Sequence, residues 1–154
     1  MDALANELQK PEYAGLSDQA AADVINAKMV SRRELVPTWL VKQHAIENGY
    51  FAAIKIASCD TTIPVQVRGL CISVLAWIDD QAGKIQSLDM DLASTHAMVG
   101  GLIACGILTQ AQATSLDRLA DHEVRWVDEN GIGEVGIGLV FNARKQIEDR
   151  EWQT

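Results

Sequence analysis

The chain has 154 residues, 48% of them hydrophobic and 22% charged, with 21 acidic residues against 13 Lys and Arg. A chain of this length buries roughly 70% of the surface its unfolded form exposes, so it needs no disulfide or metal staple, and its apolar content excludes a disordered segment. The net charge of −8 repels phosphate backbones and no basic face relieves it, so nucleic acid is not an expected partner.

Helix signals dominate the chain order, and the sequence predicts one compact all-α domain over 1–154. Asp2 to Gln9 reads as a short amphipathic turn with Leu4 and Leu8 on one face, ended by Pro11. Ser17 is a suitable N-cap for a second helix whose inner stripe is Ala21, Val24 and Ile25. Ser31 and Glu34 have capping-box spacing, with Val30 and Leu35 placed to form a hydrophobic staple. Pro37 then interrupts, and the helix either kinks there or restarts and runs to Asn48, with Gly49 as its stop. In that helix Trp39, Leu40, Gln43 and Ile46 share a face that the pattern turns inward. Tyr50 to Ser58 continues as a short helix.

The centre of the molecule is expected to be a helix over about 63–82. Pro64 stands in its first turn and Gly83 stops it. Val67, Leu70, Cys71, Val74, Leu75, Trp77 and Ile78 give it an apolar surface wide enough to be enclosed on most sides. A strand competes there because β-branched residues are frequent, and unbroken length favours helix. Asp89 and Asp91 lie in an acidic loop before a helix from about Leu92 to Cys105, in which Val99, Leu102 and Ile103 face inward. Gly100 and Gly101 cost about 1 kcal/mol each inside a helix, which a close approach of another helix would explain. Thr109 and Gln112 form a second capping box, opening a helix to Ala120.

Val124 to Asn130 reads as a helical turn carrying Trp126 and stopped by Gly131. The segment 132–141 is ambiguous. Its alternation fits a strand, whereas Leu139, Val140, Ala143 and Ile147 fit a closing helix from about Ile137. An isolated hairpin in a helical chain is marginal, which favours helix. Residues 145–154 form a charged C-terminal tail that ends near Trp152 and is suited to docking.

Catalytic and ligand motifs are weak throughout. Gly131-Ile132-Gly133-Glu134-Val135-Gly136 matches a dinucleotide fingerprint, yet only 18 residues follow it, too few for the second strand and its acid. His44, His96 and His122 are scattered and lack the close ligand pair of a zinc site. Asp79-Asp80 and Asp89-x-Asp91 would be the cation or acid–base candidates, but helix capping and solvation account for them. No catalytic residue, cofactor, metal or small-molecule substrate is therefore expected.

The cysteines Cys59, Cys71 and Cys105 are odd in number, without CxxC spacing, and have apolar neighbours; buried reduced thiols in a reducing compartment are expected. The N-terminus lacks the charged start and apolar core of a signal peptide. The longest apolar run, Met98 to Leu108, is 11 residues, against about 20 for a membrane span. The expectation is a cytosolic protein or a particle component assembled in cytosol, with no membrane partner. Trp39 and Trp77 are expected in the core. Trp152 in its polar surroundings is an interface-anchor candidate, and Gly100 and Gly101 join it as interaction candidates between copies in a homo-oligomer.

Leu8-Gln9-Lys10-Pro11-Glu12-Tyr13-Ala14-Gly15-Leu16-Ser17-Asp18 followed by Ala22-Asp23-Val24-Ile25-Asn26 resembles the opening of a family of small proteins encoded by tailed bacteriophages. Leu88 to Asp91, Gly106 to Ala113 and Trp126 to Val135 continue the resemblance in order, over nearly the whole chain. The family is all-α and carries no catalytic motif to transfer. Its members place Ser or Thr and an acid where this chain has Gly136-Ile137-Gly138-Leu139, so the start of the last helix is left open. The resemblance implies a non-enzymatic virion component, such as a capsid-, neck- or tail-associated subunit, meeting other phage structural proteins or copies of itself. The alternative is an intracellular phage protein that binds a host factor.

Overall fold

A computed structural model describes residues 2–80 and 83–152, which are mostly helical as expected. The first elements in chain order are α1 (Asp2–Leu8), α2 (Asp18–Ala27), β1 (Met29–Arg33), β2 (Val36–Pro37), α3 (Thr38–Glu47), α4 (Tyr50–Cys59) and α5 (Val65–Ile78). They are followed by β3 (Ser87–Leu88), α6 (Ala93–Ala104), α7 (Gln110–Asp117), β4 (Asp121–Arg125), α8 (Trp126–Glu129) and α9 (Ile137–Glu151). Strand structure among the described residues is confined to two short ladders, β1 with β4 and β2 antiparallel to β3.

The contacts gather the chain into two compact units. One holds Met1–Ser31 with Glu123–Thr154; the other holds Arg32–His122. Each has its own core. The first buries Leu4, Leu8, Tyr13, Ile25, Val127 and Val140, with α9 lying on α1 and α2. Ser17 caps α2 as expected, its hydroxyl accepting from the Ala20 N–H at 3.2 Å. Val24 turns outward, however, and Ala21, Ala22 and Ile25 make the buried stripe. The segment 132–136 is a loop. Asn26 holds it by donating to the Val135 carbonyl (2.9 Å) and accepting from the Val135 N–H (2.8 Å). Helix α9 then starts at Ile137, and the expected tail is helical through Glu151; Ile147 packs on the core and Arg150 reaches Asp2. Gln153 and Thr154, the end of that tail, lie outside the described residues.

The second unit packs α3 to α7 around Val41, Ile54, Cys71, Val74, Leu102 and Leu116. An apolar pocket of about 50 Å³ lies against its core, bordered by residues including Trp77, Met90, Met98 and Leu108. The central helix is shorter than predicted. Pro64 is its N-cap rather than a first-turn residue, and Asp79 ends it after Ile78; Gln81 and Ala82, which the prediction included, lie outside the described residues. Nor is it enclosed on most sides, because only Cys71, Val74 and Ile78 are buried. Thr109 and Gln112 form the predicted capping box of α7.

Two expectations fail for identifiable reasons. The Ser31–Glu34 spacing opens no helix: Met29–Arg33 is strand, because its backbone finds a partner in β4, some ninety residues on, that no local signal reveals. Of the expected inner face of α3, Leu40 packs on the core, while Trp39, Gln43 and Ile46 turn to solvent. The helix buries Thr38, Val41, His44 and Ala45, while Trp39 is 65% exposed. Burial of Thr38 and His44 is tolerable because both are hydrogen-bonded, Thr38 donating to the Ile85 carbonyl at 2.8 Å.

Candidate functional site

Four polar clusters and a set of apolar outer faces are the places where this chain could act. In the first unit Glu7, at the end of α1, is 4% exposed and accepts from Lys10 (2.6 Å), Lys28 (2.6 Å) and the Tyr13 hydroxyl (3.0 Å). Burial alone would raise its pKa; the three donors outweigh that and hold the carboxyl below the ordinary glutamate range. Burial and the Glu7 contact push Tyr13 up to about 12. Lys28 also bonds Glu12 at 2.7 Å and is held firmly charged. The Glu7 carboxylate is spent on these three donors, so the cluster joins α1 to the end of α2.

In the second unit the Arg33 guanidinium bonds Asp91 (2.9 Å), Asp117 (2.8 Å) and Asp121 (2.9 Å), which come from a loop and two different elements. Asp79 stands between Lys42 (2.5 Å) and Lys55 (3.1 Å), whose hydrogen bonds hold its carboxyl below the usual range. The Asp80 carboxylate accepts from the Lys84 and Ile85 N–H groups. Asp89 accepts from the Asp91 N–H in a local turn, and the residue that precedes α6 is Leu92, so the acids are not caps of that helix. Among the described residues no group of three or more His, Cys, Asp or Glu could hold a metal ion.

The fourth cluster was not singled out by the sequence. His44 is buried, with Nδ1 2.8 Å from the Tyr50 hydroxyl and Nε2 3.0 Å from the Ser115 hydroxyl. Burial lowers the imidazole pKa, and Glu47 opposes that weakly. A Ser–His pair with a third orienting group is the shape of an activated nucleophile. Ser115 sits inside α7, though, where backbone N–H groups are used by the helix and cannot stabilise an oxyanion. The chemistry available to this trio is to tie α3, α4 and α7 together. No signal in spacing could have found it, since its members are 6 and 71 residues apart.

Apolar side chains on outer helix faces are the remaining candidates. In the second unit Trp39 and Ile46 lie one above the other on α3, Ile56 is outward on α4, and Val65 and Ile72 are outward on α5. In the first unit Ile137 and Phe141 share an outer face of α9. Trp77 does pack on the core as expected, whereas Trp39 does not. Of the predicted interaction residues, Trp152 follows α9 and is 90% exposed. Gly101 is used within the unit: a Cβ there would come 2.8 Å from Leu70 of α5, so α6 approaches α5 closely at this point. Gly100 faces open space. Cys71 is buried, but Cys59 and Cys105 are exposed free thiols, contrary to the expectation from their apolar sequence neighbours. The Gly131–Gly136 stretch is a turn after α8, with Gly131 and Gly133 at positive φ, and lacks the preceding strand of a nucleotide loop.

No described helix is long and apolar enough to cross a membrane. Comparison with known protein families, with characterised proteins and with solved structures finds no match to this chain.

Proposed function

We propose that the chain is a non-enzymatic interaction subunit that acts through its outer helix faces, as a component of a tailed-phage particle. The observation that carries this reading is the grouping of large apolar side chains on outward faces: Trp39 with Ile46, Ile56, and Val65 with Ile72 within one unit. Scattered apolar residues on a surface need no explanation, but apolar residues repeated along the outer sides of successive helices support an interaction face. The exposed Trp152 adds an anchor of the type enriched at interfaces. The particle assignment rests on the ordered resemblance from Leu8 to Val135 to small proteins of tailed phages. Partners would be other structural subunits or further copies of the chain.

Mass spectrometry of purified particles tests the assignment, with the chain expected in stoichiometric amount. Its absence from particles, with recovery in a salt-sensitive complex from host lysate, would favour the alternative of a host-factor binder, for which the −8 net charge supplies the steering field.

A further inference from the structure

Helix α5 has an outer stripe that its own fold leaves unexplained. Val65, Gly69, Ile72 and Ala76 follow one another at spacings of four, three and four residues, so they line one side of the helix, and all four are exposed. Val65 is 61% and Ile72 53% exposed. Ser73 borders the stripe, and its hydroxyl is spent on the Gly69 carbonyl at 3.0 Å. Gly69 is the telling residue. A Cβ at Gly69 would meet nothing within 4 Å, so no packing inside the chain requires a glycine in mid-helix, where it weakens the helix.

We infer that this stripe is the contact between two copies of the chain, with α5 packed antiparallel on α5 about a two-fold axis; the inference rests on the interaction-subunit reading and names its partner. Sizes decide the direction. Centred between Gly69 and Ile72, an antiparallel pair sets Val65 against Ala76 and Ile72 against Gly69, a large residue into a small one at every level. A parallel pair would set Ile72 on Ile72 and leave a gap at Gly69. Charge agrees: the stripe itself has none, and the flanking Arg68 falls opposite Ser73 rather than another cation. The four–three spacing is that of a helix–helix seam crossing at about 20°.

Area agrees as well. A 14-residue helix is about 21 Å long, and one such pair alone falls short of the roughly 800 Å² per partner of a specific interface. Helix α4 lies directly beside α5 on the same core, and its outward residues Ala52, Ile56 and Cys59 repeat the four–three spacing. A two-fold axis lying across the seam keeps both α4 helices on the same side of it, where their outward residues can add to the contact. A parallel pairing would carry the two α4 helices to opposite sides.

Sedimentation velocity on the full chain at tens of micromolar is expected to give twice the monomer mass. Gly69→Leu and Ile72→Glu are each expected to return it to monomer with an unchanged helical circular dichroism spectrum. Direction is read by disulfide trapping in a Cys59→Ala, Cys105→Ala background that keeps the dimer mass. Val65→Cys chains mixed with Ala76→Cys chains should cross-link, while each alone should not, since a disulfide needs Cα atoms within about 7 Å. A monomeric wild type, a dimer indifferent to both substitutions, or Val65→Cys chains cross-linking to one another would each overturn the proposal. Because particle content is measured separately, a monomer found in particles would refute this contact and leave the interaction-subunit reading standing.

Discussion

Glu7→Gln is the substitution whose cost can be worked most fully. The carboxylate is 4% exposed and bound by two ammonium groups and one phenol. Glutamine keeps the shape and one acceptor for Tyr13, so what is lost is the charge-assisted part of two lysine contacts. Hydrogen bonds to charged groups contribute about 1.5–3 kcal/mol each. The Lys10 share must be discounted, because that side chain is half exposed and its ammonium returns to water. Lys28 is less free, at 25% exposure. The sum is about 2–3 kcal/mol, below the 3–5 kcal/mol for stranding a fully buried charge. At 2–4 °C per kcal/mol for a chain of this size, the expected fall in Tm is about 5–10 °C by circular dichroism. The pH dependence gives a second readout. The folded carboxyl binds its proton less readily than the unfolded one, whose ordinary value is 4.5, so its contribution is whole above that value and is lost as pH falls through the depressed one. The stability gap between wild type and variant should therefore be full near neutrality and close in acid. A gap under about 0.5 kcal/mol at neutral pH, the size of an ordinary surface substitution, or one that does not shrink in acid, would refute the reasoning.

Three further outcomes follow from individual positions. Gly100→Ala meets open space and should stabilise by about 0.5–1 kcal/mol through helix propensity, whereas Gly101→Ala must displace Leu70 and should be about 1 kcal/mol less favourable; urea midpoints of the pair decide this. His44 is held below its ordinary pKa of 6.5, so the unfolded state takes up the proton first and stability should decline as pH falls below that value. His44→Gln should remove this component of the midpoint-against-pH curve, and parallel curves would contradict it. Thr109→Ala deletes the capping-box hydroxyl and should cost about 1 kcal/mol in the same assay.

What could be read in the sequence was what depends on near neighbours. The caps at Ser17 and Thr109, the stop at Gly49, the turn at Gly131 and the start of α9 at Ile137 all act within four residues, and the structure has them. The helical class follows from the same signals. Pairing over long separations was not legible: β1 takes its partner from β4, and Arg33 collects carboxylates 58 to 88 residues away. The outward face of α3 was read inward because periodicity assigns apolar residues to the core. Here two hydrogen-bonded polar residues, Thr38 and His44, take those places and release Trp39 and Ile46 to the surface. Cys59 and Cys105 show a related error, since residues adjacent in a helix point to different sides. Of the two glycines tied to a close helix approach, Gly101 has one and Gly100 faces open space; Gly69, which likewise has no close neighbour, drew no notice because nothing local marks it.

The central claim is that the outward faces of α4 and α5 are covered by a second copy of the chain. Hydrogen exchange by mass spectrometry, run on the full chain from sub-micromolar to about 100 µM, addresses it directly; opening free energies are local, so coverage appears where it occurs. Peptides spanning α4 and α5 should gain protection as concentration rises, while those spanning α2 and its Ser17 cap stay constant. Exchange in α4 and α5 that is the same at every concentration would show those faces remaining in water and would contradict the account.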